Sequence, residues 1–271
     1  MKINIILKMY KVFNIIMLLL LVLVYIFLAN GFIEKTIVNK EIERFKERGV
    51  YVEDRIINKQ TVKMYKVVKK YDYEDVSRPS FTYDDFLDDY NLGSKTDITI
   101  TSRNPMRTAN LTIVRDVCGF FSNNFYLGHA TINVTDDGSK YVESVGNGTD
   151  NCVLLSVNSW IMTEVRAGDD TNRILGLRLK NTTENQRNEI VDELLSKVGC
   201  EYNYNFIYPT KDKYYCTDLI TRVLKNHGIN LNYDGFFAIG NDIILDNDTY
   251  LIYYINRIEN GIFEFYYLSE E

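Results

Sequence analysis

The sequence is poor in the residues that build metal sites and nucleic-acid surfaces. It has only two histidines and four cysteines, and the cysteines, at positions 118, 152, 200 and 216, lack the paired spacing of a structural zinc site. Its formal charge is -6, and it has no basic cluster long enough for a nucleic-acid surface. We therefore expect no metal, no other cofactor and no nucleic-acid partner.

The chain is nevertheless rich enough in apolar residues to fold. Hydrophobic residues make up 46% of its 271 positions, which is sufficient for a substantial core and excludes a disordered chain. Its length predicts one main domain with additional segments.

Cys216 opens a segment with the pattern of an amphipathic helix. Apolar residues recur after it at helical spacing, at positions 219, 220, 223 and 224, while polar residues fill the other face. A cysteine at a helix N-terminus lies beside unpaired backbone N–H groups and the positive end of the helix dipole, which favours the thiolate. Cys216 is therefore a candidate nucleophile. The alternative is a small buried apolar residue, the usual role of a lone cysteine.

A cysteine nucleophile usually needs a histidine, and only His129 and His227 are available. His227 follows Cys216 by eleven residues, which is about 16 Å along a helix, so it cannot reach the thiol. Gly228 after it predicts a helix end with His227 near the negative terminus of the dipole. This leaves His129.

His129 lies in a predicted strand, residues 128–134, on the face opposite Ala130. After a turn, residues 141–145 predict the antiparallel neighbour of this strand. Side chains on adjacent strands come within about 5 Å, so Glu143 could lie beside the imidazole and orient it.

Other segments complete the predicted sheet. Alternating apolar residues predict strands at 98–100, 111–117, 152–157 and 173–179, with a final hairpin in 250–268, and a helix is predicted from 184 to 198. Cys118 and Cys152 could lie on neighbouring strands and form a disulfide in an oxidising compartment, although the sequence does not fix the connectivity.

The N-terminal segment has the properties of a membrane span. From Val12 to Ala29 the only strongly polar residue is Asn14, and eighteen helical residues extend about 27 Å. Three lysines precede this run, so we expect them in the cytoplasm and the rest of the chain outside, as in a single-pass signal anchor of the cell membrane. A cleaved signal peptide and secretion are the alternative, but the run is long for one and ends in a poor cleavage site.

Three motifs occur in an order that is characteristic. They are Gly128-His129-Ala130, Tyr141-Val142-Glu143 and Tyr214-Tyr215-Cys216-Thr217-Asp218, with a helix ending at Gly199 and Tyr202-Asn203-Tyr204 between the last two. Together they resemble the circularly permuted papain-like enzymes of the NlpC-type superfamily, the YiiX-like group. In ordinary papain-like folds the cysteine helix comes first, whereas in the permuted group it follows the histidine and the glutamate, as here.

The resemblance covers about residues 108–250 and departs from the family at two points. Asn203 stands where the family tends to have Asp, and Thr217-Asp218 stand where it tends to have Ser-Glu. The resemblance implies an α+β, permuted papain-like fold, in which an antiparallel sheet packs against the helix that bears the nucleophile.

The resemblance also implies roles for the site residues. Cys216 would be the nucleophile, His129 the base and then the acid, and Glu143 the orienting residue. Tyr202 and Tyr215 are candidate contacts for the substrate or the oxyanion, and a packing role for Tyr202 is the alternative.

The predicted organisation is a cytoplasmic N-terminus (1–11), a transmembrane anchor (12–30), an accessory or stalk region (31–100) and a catalytic domain (101–271). The expected function is a membrane-anchored, extracytoplasmic cysteine hydrolase that cleaves an amide bond through an acyl-thioester, with a cell-wall-type peptide as substrate. The alternatives are a lipid acyl hydrolase or acyltransferase that uses the same triad, and a catalytically idle binding module.

Overall fold

The computed structural model describes residues 2–57, 59–81, 91–104, 110–126, 128–146, 151–158, 173–206, 210–232, 235, 237–259 and 261–270, except the side chains of residues 2–7 and 27. The helices are α1 Lys2–Lys46, α2 Thr112–Phe125, α3 Glu184–Ser196, α4 Cys216–Asn226 and α5 Gly240–Leu245. The strands are β1 Gly49–Ile57, β2 Gln60–Val68, β3 Ile98–Thr101, β4 His129–Asn133, β5 Lys140–Ser144, β6 Val153–Val157, β7 Arg173–Leu179, β8 Glu201–Tyr202, β9 Lys213–Tyr214, β10 Thr249–Glu259 and β11 Ile262–Ser269.

Nine of the described strands form one sheet, in the order β1-β2-β11-β10-β7-β3-β4-β5-β6. Every neighbouring pair is antiparallel except β2 with β11, which is parallel. Strands β8 and β9 form a separate parallel pair. The predicted combination of helices and a largely antiparallel sheet is confirmed, although the sheet is larger than the sequence indicated.

Helix α4 packs one face against the sheet, beside β4 and β5. Its apolar stripe is fully buried and consists of Leu219, Ile220, Val223 and Leu224. The helix begins at Cys216 and is capped at His227, and Gly228 has the left-handed φ of 83° that a glycine adopts freely. The predicted helix and its predicted end are therefore both confirmed.

The predicted strand at 111–117 is wrong, because these residues begin α2. Alternation of apolar residues normally indicates one buried sheet face, but here Ile113 and Val117 are exposed on a helix, at 66% and 48%. Cys118 consequently lies on α2 and not on a strand next to Cys152, so the structure removes the basis for a disulfide between them. All four cysteines are free thiols.

Helix α1 is much longer than the predicted membrane segment. An 18-residue window of it has a mean hydropathy of 3.0 with none of its residues buried, so the helix is long and apolar enough to cross a membrane, a property that signal sequences share. Its C-terminal part packs on the domain through Val38, Ile42 and Phe45, which are buried. A hairpin follows as β1 and β2, and it extends the main sheet through β11.

A buried ion pair holds the segment that leads into β3. The Arg178 side chain on β7 is 1% exposed and donates to both carboxylate oxygens of Asp97, at 2.8 and 2.6 Å. The same guanidinium also donates to the backbone carbonyls of Asp75, Arg78 and Pro79. Because Asp97 directly precedes β3, which pairs with β4, this ion pair fixes the strand that lies beside His129.

Replacing Arg178 with methionine should destabilise the fold strongly, since it leaves Asp97 as a buried carboxylate without its partner. We expect the free energy of unfolding to fall by about 3–5 kcal/mol, measured by denaturant titration of the full chain in detergent. Arg44→Met is the control, because Arg44 pairs with Glu41 on the surface and its loss should cost at most about 1 kcal/mol. Equal effects of the two substitutions would contradict the structural role given to Arg178.

Candidate active site

His129 is the first residue of β4 and lies opposite Thr101 of β3. The backbone at Gly128 lies very close to the backbone of residues 101–103. A Cβ on Gly128 would lie 2.4 Å from the carbonyl oxygen of Thr101 and 2.5 Å from the nitrogen of Arg103. Only glycine avoids this contact. The side chain of His129 is 19% exposed, so the imidazole is mostly enclosed but keeps access to solvent.

Glu143 lies beside this imidazole, as the strand pairing predicted. It stands on β5 opposite Thr131, diagonal to His129 on the same face of the sheet. Its Oε2 is 2.8 Å from Nε2 of His129. The carboxylate is 13% exposed, so the hydrogen bond is largely shielded from water.

The second oxygen of Glu143 has a partner that the sequence analysis missed. Ser156 on β6 donates its hydroxyl to Oε1 at 2.7 Å. Ser156 is paired with Tyr141, two residues before Glu143 on the same strand face. A polar residue at this position of the neighbouring strand is the signal that could have identified it.

Cys216 completes this group of residues beside strands β4 and β5. As the first residue of α4, beside β4, it brings its thiol to hydrogen-bonding distance of the His129 ring. Because Nε2 is bound to Glu143, Nδ1 is the ring nitrogen that faces the sulfur. The structure thus aligns a thiol, an imidazole and a carboxylate from three separate segments of the chain.

The electrostatics of this arrangement favour a charged pair. Burial opposes the thiolate, but the hydrogen bond with His129 and the backbone N–H groups of Ala130 and Thr217 lower the pKa of Cys216 below its ordinary value. Burial likewise opposes the imidazolium, but the hydrogen bonds with Cys216 and Glu143 raise the pKa of His129 to about 10. These opposite shifts favour the pair in its thiolate and imidazolium form.

Glu143 is ionised beside this pair. Burial would raise the pKa of its carboxyl, but the hydrogen bond with His129, supported by the one from Ser156, lowers the pKa below the ordinary value. A negative charge on Glu143 stabilises the imidazolium and fixes the orientation of the ring.

Tyr202 and Tyr215 lie close to Cys216 but differ in what they contact. Burial and then the negative charge of the Cys216 sulfur raise the pKa of Tyr202, so its hydroxyl remains protonated near the thiol. The Tyr215 hydroxyl accepts the backbone N–H of Ala238 at 2.7 Å, and its ring packs against Phe206. Tyr215 is thus already engaged in holding a neighbouring loop.

That loop connects the nucleophile helix to α1. The Thr217 hydroxyl donates to the carbonyl of Ala238 at 2.6 Å, next to the contact made by Tyr215. Three residues further on, Asn241 donates to the Glu34 carboxylate on α1 at 3.1 Å. The sequence carried no signal for this link, which joins residues more than two hundred positions apart.

His227 is separate from this site. It caps the opposite end of α4, and its Nε2 is 3.0 Å from the Glu193 carboxylate on α3. The structure therefore brings together Cys216, His129 and Glu143, and leaves His227 at a helix end.

A comparison with known protein families identifies the family of the chain. Residues 116–252, just over half of the chain, match the family model of the permuted papain-like amidase enzymes, YaeF/YiiX, C92 family. The match includes the segments that carry His129, Glu143 and Cys216. No curated protein matches the chain.

The lowered pKa of Cys216 predicts its reactivity against pH. The thiolate is lost only when the pH falls through this lowered pKa, so iodoacetamide should label Cys216 well below the pH near 8.5 at which a free thiol reacts. His129→Ala removes the main stabilising partner and should shift labelling to higher pH. Mass spectrometry of the labelled peptides provides the measurement.

Cys200 is the internal control for this titration. Burial raises the pKa of the Cys200 thiol, so it should require a higher pH for labelling than Cys216 does in the same sample. Identical pH profiles for the two cysteines in folded protein would show that Cys216 is not activated.

Proposed function

The chain belongs to the permuted papain-like amidases, and from this premise we propose that it is a cysteine hydrolase that cleaves an amide bond through an acyl-thioester on Cys216. The observation that carries the proposal is the continuous hydrogen-bonded arrangement of Cys216, His129 and Glu143 at the start of α4. A nucleophile, a base and an orienting carboxylate in this geometry form a catalytic triad.

In the first step, the Cys216 thiolate attacks the carbonyl carbon of the substrate. The carbonyl π electrons move to the oxygen, and the backbone N–H of Cys216, which points out of the helix N-terminus, donates to this oxyanion. The protonated hydroxyl of Tyr202 is a second donor candidate. The imidazolium of His129 then gives its proton to the leaving amine, the C–N bond breaks, and an acyl-thioester remains.

Water resolves this intermediate. His129, now neutral, takes a proton from a water molecule as the hydroxide attacks the thioester carbonyl, and the C–S bond breaks. A carboxylic acid leaves, and the thiolate and imidazolium are restored. Glu143 stabilises the imidazolium throughout, and the hydroxyl of Ser156 holds the carboxylate in place.

For the substrate we favour a cell-wall-type peptide outside the cytoplasm, with α1 as a membrane anchor. Three lysines before the apolar run favour this orientation. Exposed aromatic rings beside Cys216 could bind such a ligand: Tyr204 and Phe206 are 61% and 48% exposed and pack against Tyr202. Flat rings of this kind suit the apolar faces of peptides and sugars.

A second candidate keeps the triad and takes a lipid amide or ester. The observation that favours it is the link from the Cys216 end of α4, through Ala238 and Asn241, to Glu34 on α1. Glu34 lies five residues beyond the apolar run, about 7.5 Å along the helix, so the segment that contacts Thr217 is tied to α1 just past this run. A catalytically idle binding module is the remaining alternative.

The triad predicts unequal roles for the two histidines. His129→Gln should lower kcat by about 10³-fold or more, because it removes the base and the acid, whereas His227→Gln should leave kcat nearly unchanged. The two variants are matched in chemistry and differ only in position. A comparable loss in both, in folded protein, would contradict the assignment of His129.

A thiol-directed electrophilic probe and two substrates test the proposal itself. At neutral pH the probe should label the full chain at Cys216, as located by mass spectrometry of the labelled peptides, and Cys216→Ala should lose this label while any label on the other three free cysteines is unchanged. Incubation with purified muropeptides should release a new amine, and incubation with phospholipid vesicles should release fatty acid if the lipid alternative holds. Absence of labelling and of both products would favour the idle binding module.

A further inference from the structure

Helix α2 is fixed to α1 at the level where the apolar run ends. Gly31 of α1 is buried under Phe125 of α2, and a Cβ on this glycine would lie 2.1 Å from the ring. The rings of Phe32 and Phe120 are 6.0 Å apart. Phe32 is three residues beyond Ala29, so this contact lies only about 4.5 Å past the apolar run along α1.

The folded domain also touches the run itself. Residues 8–26 of α1 are exposed, but Leu28 and Ala29 are half-buried. The position of α2 relative to the end of the run is therefore set by packing and not by a flexible linker.

Helix α2 presents an exposed apolar face beside this contact. Ile113, Val117 and Phe120 follow one another at helical spacing of four and three residues, and they are 66%, 48% and 42% exposed. Leu111 before the helix and Phe32 of α1 extend the same surface, at 61% and 50% exposed. Several large apolar side chains together on the surface mark an interaction site, whereas single ones do not.

We propose that this α2 face, comprising Ile113, Val117 and Phe120, docks on the lipid bilayer. The inference rests on the membrane anchoring proposed above for α1. Its argument is continuity: the face joins, through Phe120 and Phe32, the end of a helix whose apolar run is exposed over residues 12–26. Where that run crosses a bilayer, Phe120 lies at the membrane interface, the depth at which apolar and aromatic side chains are stabilised by lipid.

Docking would hold the candidate active site close to the bilayer. Helix α2 ends at Phe125, and the strand that carries His129 begins four residues later. Asn124 directly precedes that end. Its side-chain oxygen accepts a hydrogen bond from Lys35 of α1, and its backbone carbonyl accepts one from the side chain of Asn241. The α2 face and the catalytic histidine thus belong to one packed unit at the base of α1.

Depth-dependent quenching of tryptophan tests this inference with the full chain in vesicles. Trp160 is the only tryptophan, so Trp160→Phe provides a dark background in which Ile113→Trp reports on α2. If Trp160→Phe does not fold, the unmodified chain is kept and its own signal is subtracted. We expect lipids brominated near the headgroup end of the acyl chain to lower the fluorescence of Ile113→Trp about two-fold or more.

Two further positions serve as controls. Val50 is similarly exposed, at 59% against 66% for Ile113, but it follows the C-terminus of α1, which is about 24 Å along the helix from Asn30, so Val50→Trp should not be quenched. Leu20→Trp lies within the apolar run and should be quenched by deeply brominated lipid.

The outcomes separate this inference from the proposed function. If Leu20→Trp is quenched and Ile113→Trp is not, the anchor stands and the docking surface is wrong. If Ile113→Trp is shielded from acrylamide without quenching by lipid, a protein such as a second copy covers the face, which also overturns the inference. If neither is quenched, the anchor fails together with the docking, while the amidase proposal is decided by the histidine variants.

Discussion

The hydrogen bond between His129 and Cys216 is the interaction on which the candidate site depends. Each partner on its own would be neutral, since burial opposes charge on both the thiol and the imidazole. Only their mutual contact, with Glu143 behind the ring, makes thiolate and imidazolium the favoured forms. The contact in turn requires that β4 and the first turn of α4 meet, and they are almost ninety residues apart in the chain. Much of the fold holds these two segments against each other so that this contact forms.

The sheet provides the fixed side of the contact. Strand β4 lies between β3 and β5, and His129 at its start is paired with Thr101 of β3, while β5 pairs with β4 from Thr131 onward. The start of β3 is held by the buried ion pair of Arg178 and Asp97. Burying two charges costs free energy, and the additional hydrogen bonds from the guanidinium to three backbone carbonyls offset part of this cost. Helix α4 supplies the other side, because its buried stripe admits only one rotation of the helix on the sheet and thereby directs Cys216 toward β4.

The site was more predictable from sequence than the architecture around it. Only two histidines were available, and helix geometry excluded His227, so His129 followed by elimination; strand alternation then placed Glu143 on its face. These are local arguments, and the structure agrees with them. The strand predicted at 111–117 failed because alternation reports burial, and α2 exposes its apolar residues. Ser156 and the link from Ala238 to Glu34 were missed because they depend on tertiary pairing between distant segments, which no local period encodes.

The misassigned segment also bears on function. A soluble helix normally turns its apolar stripe inward, so apolar residues left outside on α2 need a different partner from the sheet. Phe120 contacts Phe32 beside the end of the apolar run, which is why we propose the bilayer as the partner that requires no additional component. The proposed docking would account for the exposed apolar residues of α2, whose alternation in the sequence led to the prediction of a strand. If the face is in lipid, the substrate of Cys216 must be reachable from the membrane surface, a requirement that both a lipid acyl group and a wall peptide close to the membrane can meet.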